Sequence, residues 1–220
     1  MGYQHRYHEG ELAELPLGKV VCVGRNYADH AAELNNPIPT EPMLFIKPAT
    51  SVIEMETPFA VPEGLGSVHF ETEMAILIGA ELSKVTAAEV EAAIVGVGLG
   101  LDLTLRDLQS KLKEKGHPWE KAKAFDGSCP LSSFIKPERV DDIQDVDIKL
   151  TVNGEIRQQG NSSHMLNQVL PLISYISQFF TLVPGDVVLT GTPAGVGPIH
   201  SGDQLLVELG DMISVVTQAE

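Results

Sequence analysis

A chain of 220 residues with 43% hydrophobic side chains can bury one substantial core, so a single domain over residues 1–220 is expected rather than two. A formal charge of −15 argues against a nucleic-acid partner, which needs a basic footprint to neutralise phosphates. No apolar run approaches the roughly 20 residues of a membrane span, and MGYQHRYHEG at the start has no apolar core for a signal peptide, so no membrane association is expected and the cytoplasm is the expected compartment.

Residues 1–18 read as an N-terminal extension. KVVCVGRNY (19–27) then reads as a buried strand running into a turn, with ADHAAEL after it as a short helix. In NNPIPTEPM (35–43), Pro37, Pro39 and Pro42 fix φ and remove donors, so the helix cannot continue. LFIKP and EMAILIGAEL are apolar enough for buried strands, the second ending at Gly79. TAAEVEAAIVGVG opens with a helix whose Thr86 and Glu89 have capping-box spacing. GLGLDLTLRDLQSKLKEKG passes from a period-2 strand into a helix closed by Gly116. DIKLTVNGEIRQQG is a hairpin with an Asn-Gly turn, SSHMLNQVLPLISYISQFF is helical, and the last third is short strands punctuated by Gly and Pro. The pattern is a strand-rich α+β chain without the alternation of a doubly wound sheet. Cys22 and Cys129 read as reduced core residues without a role.

Glu71 and Glu73 in HFETEMAILIGAEL stand at the head of an apolar run with no lysine or arginine near in sequence. Residues two apart on a strand share a face, about 7 Å apart, so the two charges repel and lose hydration together. A shared divalent cation or a raised pKa relieves this; a solvated strand end is the plainer reading. Asp102 lies in the apolar GLGLDLTL, where a buried aspartate needs a partner, although it could instead cap the following helix. Three oxygen ligands without cysteine fit Mg²⁺ or Mn²⁺ better than zinc.

His30 and Glu33 stand three apart on the short helix and can act as a pair, the carboxylate setting the imidazole's tautomer and basicity, or can be an ordinary surface contact. Lys47 and Lys123 each border an apolar strand and could be snorkelling side chains. LTGTPAGVG (189–197) offers backbone amides to a carboxylate but lacks the lysine of a phosphate loop.

Taken in order, CVGRNYADHAAEL, LFIKP, HFETEMAILIG, GLDLTLRDLQ, WEKAKAFDGSCP, VNGEIRQQG and GDVVLTGTPAGVG resemble the fumarylacetoacetate hydrolase superfamily, and within it the short members of the acylpyruvase and oxaloacetate decarboxylase type. The resemblance implies a mixed β-roll with few helices, usually a homodimer. It implies Glu71, Glu73 and Asp102 as ligands of Mg²⁺ or Mn²⁺, and His30 with Glu33 as a catalytic dyad. Lys47, Gln109, Lys123 and Thr192 match positions that hold the substrate's carboxylate and keto oxygens, Lys123 counting among the catalytic groups, and Arg25 and Tyr27 lie in the same first motif. The implied substrate is a small 2-oxo or 2,4-dioxo acid. The implied reaction is C–C hydrolysis of acylpyruvates or decarboxylation of oxaloacetate; keto–enol tautomerisation is the alternative, and a non-catalytic ligand-binding domain the remote one. All three reactions pass through an enolate, which positive charge beside the keto oxygen stabilises. A further expectation is a lid over residues 28–43 that brings the dyad to the substrate, against a permanently docked helix.

Overall fold

Apolar runs become the strands of a central sheet: Met43–Lys47 (β2), Val20–Gly24 (β1), Val187–Leu189 (β11), Thr72–Ile78 (β5), Ile94–Leu101 (β6), Cys129–Leu131 (β8) and Val52–Glu54 (β3), in that spatial order. β1 is parallel to β11 and β3 to β8, while the other neighbours are antiparallel, so the sheet is mixed. A second sheet, antiparallel, holds Glu155–Asn161 (β10), Asp147–Val152 (β9), Gln204–Leu209 (β13) and Ile213–Gln218 (β14). Gly197–Pro198 (β12), Val68–Phe70 (β4) and Thr104–Leu105 (β7) form a third. The helices are short: Ala28–Glu33 (α1), Ala87–Val90 (α2), Arg106–Glu114 (α3), Glu120–Lys123 (α4) and Val169–Ser177 (α5). This is the strand-rich α+β architecture expected, in a computed structural model that describes residues 2–33 and 37–220. Among these residues no helix is long and apolar enough to cross a membrane.

Every residue of β5 is buried, because the sheet is covered on both faces. Met74, Ile76 and Ile78 enter the larger core beside Ile148, Leu150 and Val207 of the second sheet. Ala75 and Leu77 point the other way, into a smaller cluster on which Tyr3, Tyr7, Leu15 and Leu17 of the N-terminal extension pack. Each large apolar side chain so buried contributes about 1.5–3 kcal/mol. Gly96 and Gly98 of β6 let Phe134 lie on the sheet, since a Cβ on Gly96 would stand 2.9 Å from Phe134 Cβ and one on Gly98 3.0 Å from its ring.

Local signals held where local chemistry decides. Glu89 accepts from Thr86 N and Oγ1, both at 2.8 Å. Asn153 and Gly154 take φ of 51° and 82°, as a two-residue hairpin turn requires, between β9 and β10. The helix expected over SSHMLNQVLPLISYISQFF is shorter than its pattern. Ser162–His164 make one 3-10 turn and the chain stays extended at Met165 and Gln168. The cause is tertiary: Leu166 N donates to Asn26 O (2.8 Å), and Asn167 N to Asn26 Oδ1 (2.8 Å). α5 therefore begins at Val169, which leaves Pro171 in a first turn that tolerates it. Within the segment expected to be a lid, α1 is seated with His30 and Ala31 buried, and residues 34–36 lie outside the described residues.

Candidate active site

The register of β5 against β6 builds the centre of the site. Thr72 pairs with Leu101 and Glu73 with Gly100, so one step beyond the ladder Glu71 meets Asp102. Asp102 N donates to Glu71 O at 2.8 Å, and the residue caps no helix; Leu105 precedes α3 instead. The carboxylates of Glu71, Glu73 and Asp102 each place an oxygen within 4.8 Å of the others, and all three are buried. The pair is therefore inside the protein and not at a solvated strand end.

Their electrostatic situations differ. Burial raises the Glu71 pKa, but Lys123 and then Arg106 reverse the effect and hold it far below the ordinary carboxylate value. Lys123 Nζ donates to Glu71 Oε2 (2.7 Å), Asp102 Oδ2 (2.5 Å) and Thr104 Oγ1 (2.7 Å), and Arg106 Nη2 pairs with Glu71 Oε1. Glu73 makes no ion pair among the described residues, and accepts from Gly191 N at 2.6 Å. Burial, then the Asp102 and Glu71 charges, push its carboxyl well above the usual range. The two glutamates have split, one ionised against cations and one driven toward neutrality.

These residues fit a divalent cation. Asp102 Oδ1 is buried and accepts no hydrogen bond; Lys47 Nζ lies 2.8 Å away but off the angle needed to donate. That unfilled oxygen, a Glu73 carboxylate outside every ion pair among the described residues and the absence of sulfur or imidazole from the trio make a hard oxygen donor set.

The dyad assembles beside them. His30 Nδ1 stands 3.5 Å from Glu33 Oε2, a loose ion-pair distance, and makes no hydrogen bond. Burial lowers the His30 pKa, with the Glu71 and Glu33 carboxylates opposing, so the ring is a neutral base. Glu33 is anchored from across the fold: Gly195 N donates to both its oxygens at 3.1 Å. The turn after β11 thus receives two carboxylates of the protein itself, Glu73 on Gly191 and Glu33 on Gly195. Both glycines have φ near +95°, at 94° and 99°. A Cβ on Gly191 would meet Asn26 Cβ at 2.6 Å.

Arg25, His30, Gln109, Lys123 and Thr192 line one cavity with Glu71 and Glu73. Thr192 Oγ1 donates to Thr72 O (2.8 Å) and accepts from Gln158 Nε2 (2.7 Å). Lys47 lies elsewhere than a substrate-holding role requires. Wholly buried behind Asp102, it donates to Ser128 O (3.0 Å), Ser128 Oγ (3.1 Å) and Lys123 O, and does not line the cavity. Tyr27 is also outside the lining, its hydroxyl buried without a partner and its ring against Gly160. Sequence reasoning passed over Arg106, which clamps Glu71 and donates to Gln109 Oε1 (2.8 Å). It also missed Gln158, which bonds Thr72 N and Thr192. Arg106 lies three residues before Gln109 on α3, the only signal that they share a face. The cavity holds about 40 Å³, room for two or three waters, with Phe45 and Trp119 as apolar walls.

A family model described as fumarylacetoacetate (FAA) hydrolase C-terminal matches residues 19–219. The chain is 55% identical over 206 residues to the Escherichia coli protein named oxaloacetate tautomerase YcgM, covering 93% of this chain and 94% of that one. It is 43% identical over 185 residues to a mitochondrial oxaloacetate decarboxylase of Dictyostelium discoideum, covering 84% and 85%. Among solved structures, fumarylpyruvate hydrolase from Pseudomonas aeruginosa in complex with Mn²⁺ and pyruvate superposes with a TM-score of 0.93 at 34% identity, over 99% of this chain and 95% of that one.

Proposed function

The chain belongs to the fumarylacetoacetate hydrolase family, and on that premise we propose an enzyme that interconverts the keto and enol forms of oxaloacetate or a closely related 2-oxo acid. One observation carries the reading: a neutral base and a fixed ammonium face one buried cavity. His30, kept uncharged by burial, can take a proton from the carbon next to the keto group. Burial disfavours the Lys123 charge, but Asp102 and Glu71 overcome this and hold it above the ordinary lysine value. It therefore stays charged; its three N–H donors are committed to Glu71, Asp102 and Thr104, and its positive charge at the cavity wall favours the negative charge that gathers on the substrate oxygen. Glu33, anchored on Gly195, stabilises the imidazolium that forms. Gln109 lines the space for the 2-oxo acid, Thr192 is fixed beside it by Thr72 and Gln158, and Phe45 and Trp119 are its apolar walls. Glu71, Glu73 and Asp102 would hold Mg²⁺ or Mn²⁺, which supplies Lewis-acid polarisation of the keto group when bound. The proposal includes a homodimer in the cytoplasm.

C–C hydrolysis of acylpyruvates is the second reading, favoured by Glu33: one third exposed and beside His30, it can orient a water. Proton exchange separates the two. In D₂O with Mg²⁺, wild-type protein should wash deuterium into C3 of oxaloacetate faster than solvent alone does, and His30→Asn should slow this by about 10²–10⁴. Exchange no faster than in buffer, together with prompt cleavage of acetylpyruvate, would transfer the assignment to hydrolysis.

A further inference from the structure

The second sheet sends one side chain across to the site. Its outer strand β10 is exposed or half-buried along its length except at Gln158, which is 1% exposed. The cause is a bulge: Ile156 pairs with Thr151 and Gln158 with Leu150, so Arg157 is one residue too many for the ladder. On a regular strand Ile156 and Gln158 would share a face. The extra residue turns them apart, Ile156 to solvent and Gln158 inward.

Both ends of the Gln158 amide are engaged. Its Oε1 accepts from Thr72 N (2.9 Å), and its Nε2 donates to Thr192 Oγ1 (2.7 Å) and Pro193 O (2.9 Å). Thr72 N can only donate and Pro193 O can only accept, so the amide has one orientation. Thr192 Oγ1 in turn donates to Thr72 O (2.8 Å) and closes a ring of three bonds. Thr72 stands between Glu71 and Glu73 at the start of β5, and Thr192 lies in the turn whose Gly191 and Gly195 hold Glu73 and Glu33. That turn also rests on the bulge itself: a Cβ on Gly195 would stand 1.9 Å from Arg157 O, and one on Gly160 2.6 Å from Pro193 Cβ. Gln158 is outside the cavity lining, yet it ties together the backbones that seat those two carboxylates.

We propose that Gln158 is a positioning residue: by clamping the turn after β11 to the start of β5, it fixes Glu73 beside Glu71 and Asp102 and fixes Glu33 beside His30. The part played through Glu33 rests on the function proposed above; the part played through Glu73 bears on cation binding alone. Without the clamp Gly191 can draw away from Glu73 and Gly195 from Glu33, while every group that lines the cavity is still present.

The test uses Gln158→Met, which keeps most of the side-chain volume but has no amide. Ser162→Ala is the control, because it loses a comparable buried bond, from Val146 N (2.9 Å), outside the site. Mn²⁺ affinity is measured by calorimetry on metal-stripped protein, with thermal melts in EDTA beside it. Gln158→Met should bind Mn²⁺ about 10- to 100-fold more weakly, the usual loss when a group that orients a metal ligand is removed, while Ser162→Ala binds as wild type does. At saturating Mn²⁺, Gln158→Met should also lower kcat for proton exchange at C3 of oxaloacetate with KM little changed, because Glu33 is loosened and no substrate contact is lost. Unchanged Mn²⁺ affinity in Gln158→Met overturns the role, and so does a loss that Ser162→Ala matches. If Gln158→Met does not fold, Thr192→Val opens the same ring at another corner, keeps the bond from Thr72 N, and is read by the same two Mn²⁺ outcomes. Weaker Mn²⁺ binding in the variant, in a protein whose wild type exchanges no proton at C3, keeps the role of Gln158 at Glu73 and discards the catalytic reading.

Discussion

Replacing Lys47 by methionine keeps the length and apolar stem of the side chain but deletes a charge with no exposure to solvent. In the native protein its ammonium donates to Ser128 O, Ser128 Oγ and Lys123 O, and sits 2.8 Å from Asp102 Oδ1. The substitution leaves those acceptors short of a donor and leaves Asp102, among the described residues, paired with Lys123 alone. Removing one partner of a buried ion pair costs about 3–5 kcal/mol. For a domain of this size that is a fall in Tm of roughly 6–20 °C. The loss should be partly specific to the metal-free state, because a divalent cation on the carboxylate trio replaces the missing charge and stabilises only the folded chain. Thermal melts by circular dichroism in EDTA and in saturating Mn²⁺ measure both effects, and Lys47→Met should gain more from Mn²⁺ than wild type does. A Tm in EDTA within about 2 °C of wild type would refute the burial argument. An equal Mn²⁺ gain in both proteins would refute the electrostatic link between Lys47 and the trio.

Cys22 and Cys129 are fully buried, and burial pushes the Cys22 thiol up and Cys129 up to about 12, so neither should react with a thiol reagent until the protein unfolds; rapid labelling of native protein contradicts this. Because burial lowers the His30 pKa, the base is neutral above its shifted value, so kcat/KM should hold as pH falls to 6.5 and decline only below it. An acid limb centred above 6.5 speaks against His30 as the base. The lid expected over residues 28–43 would bring His30 and Glu33 of α1 onto a ligand bound in the cavity that His30 lines. Amide exchange in residues 28–33 and 37–43 should slow when Mg²⁺ and oxalate are added, and protection already maximal without ligand removes the lid.

What the sequence made legible was whatever a few neighbouring residues decide. Asn153-Gly154 needs only its own φ values, Thr86 with Glu89 only one helical turn, and the all-apolar β5 only a sheet covered on both faces. Glu71, Glu73 and Asp102 stood out because carboxylates in apolar strands are expensive, though their meeting depends on the register of β5 with β6. The misreadings share a cause in distant contacts. Asn26 bonds Asn167 and so delays α5, which no periodicity in residues 162–180 records. Lys47 ends an apolar strand in either reading, and only the packing of Ser128 and Asp102 around it shows that it faces the interior. Arg106 looked like one charge among several on a polar helix until Glu71 came within reach of it.

The central claim is tested most directly by adding catalytic amounts of protein to freshly dissolved enol-oxaloacetate and following the loss of enol absorbance. With Mg²⁺ present, wild type should speed conversion to the keto form well beyond the solvent rate, and Glu73→Ala or excess chelator should return it to that rate. An enol decay unchanged by wild-type protein and Mg²⁺ would contradict the account.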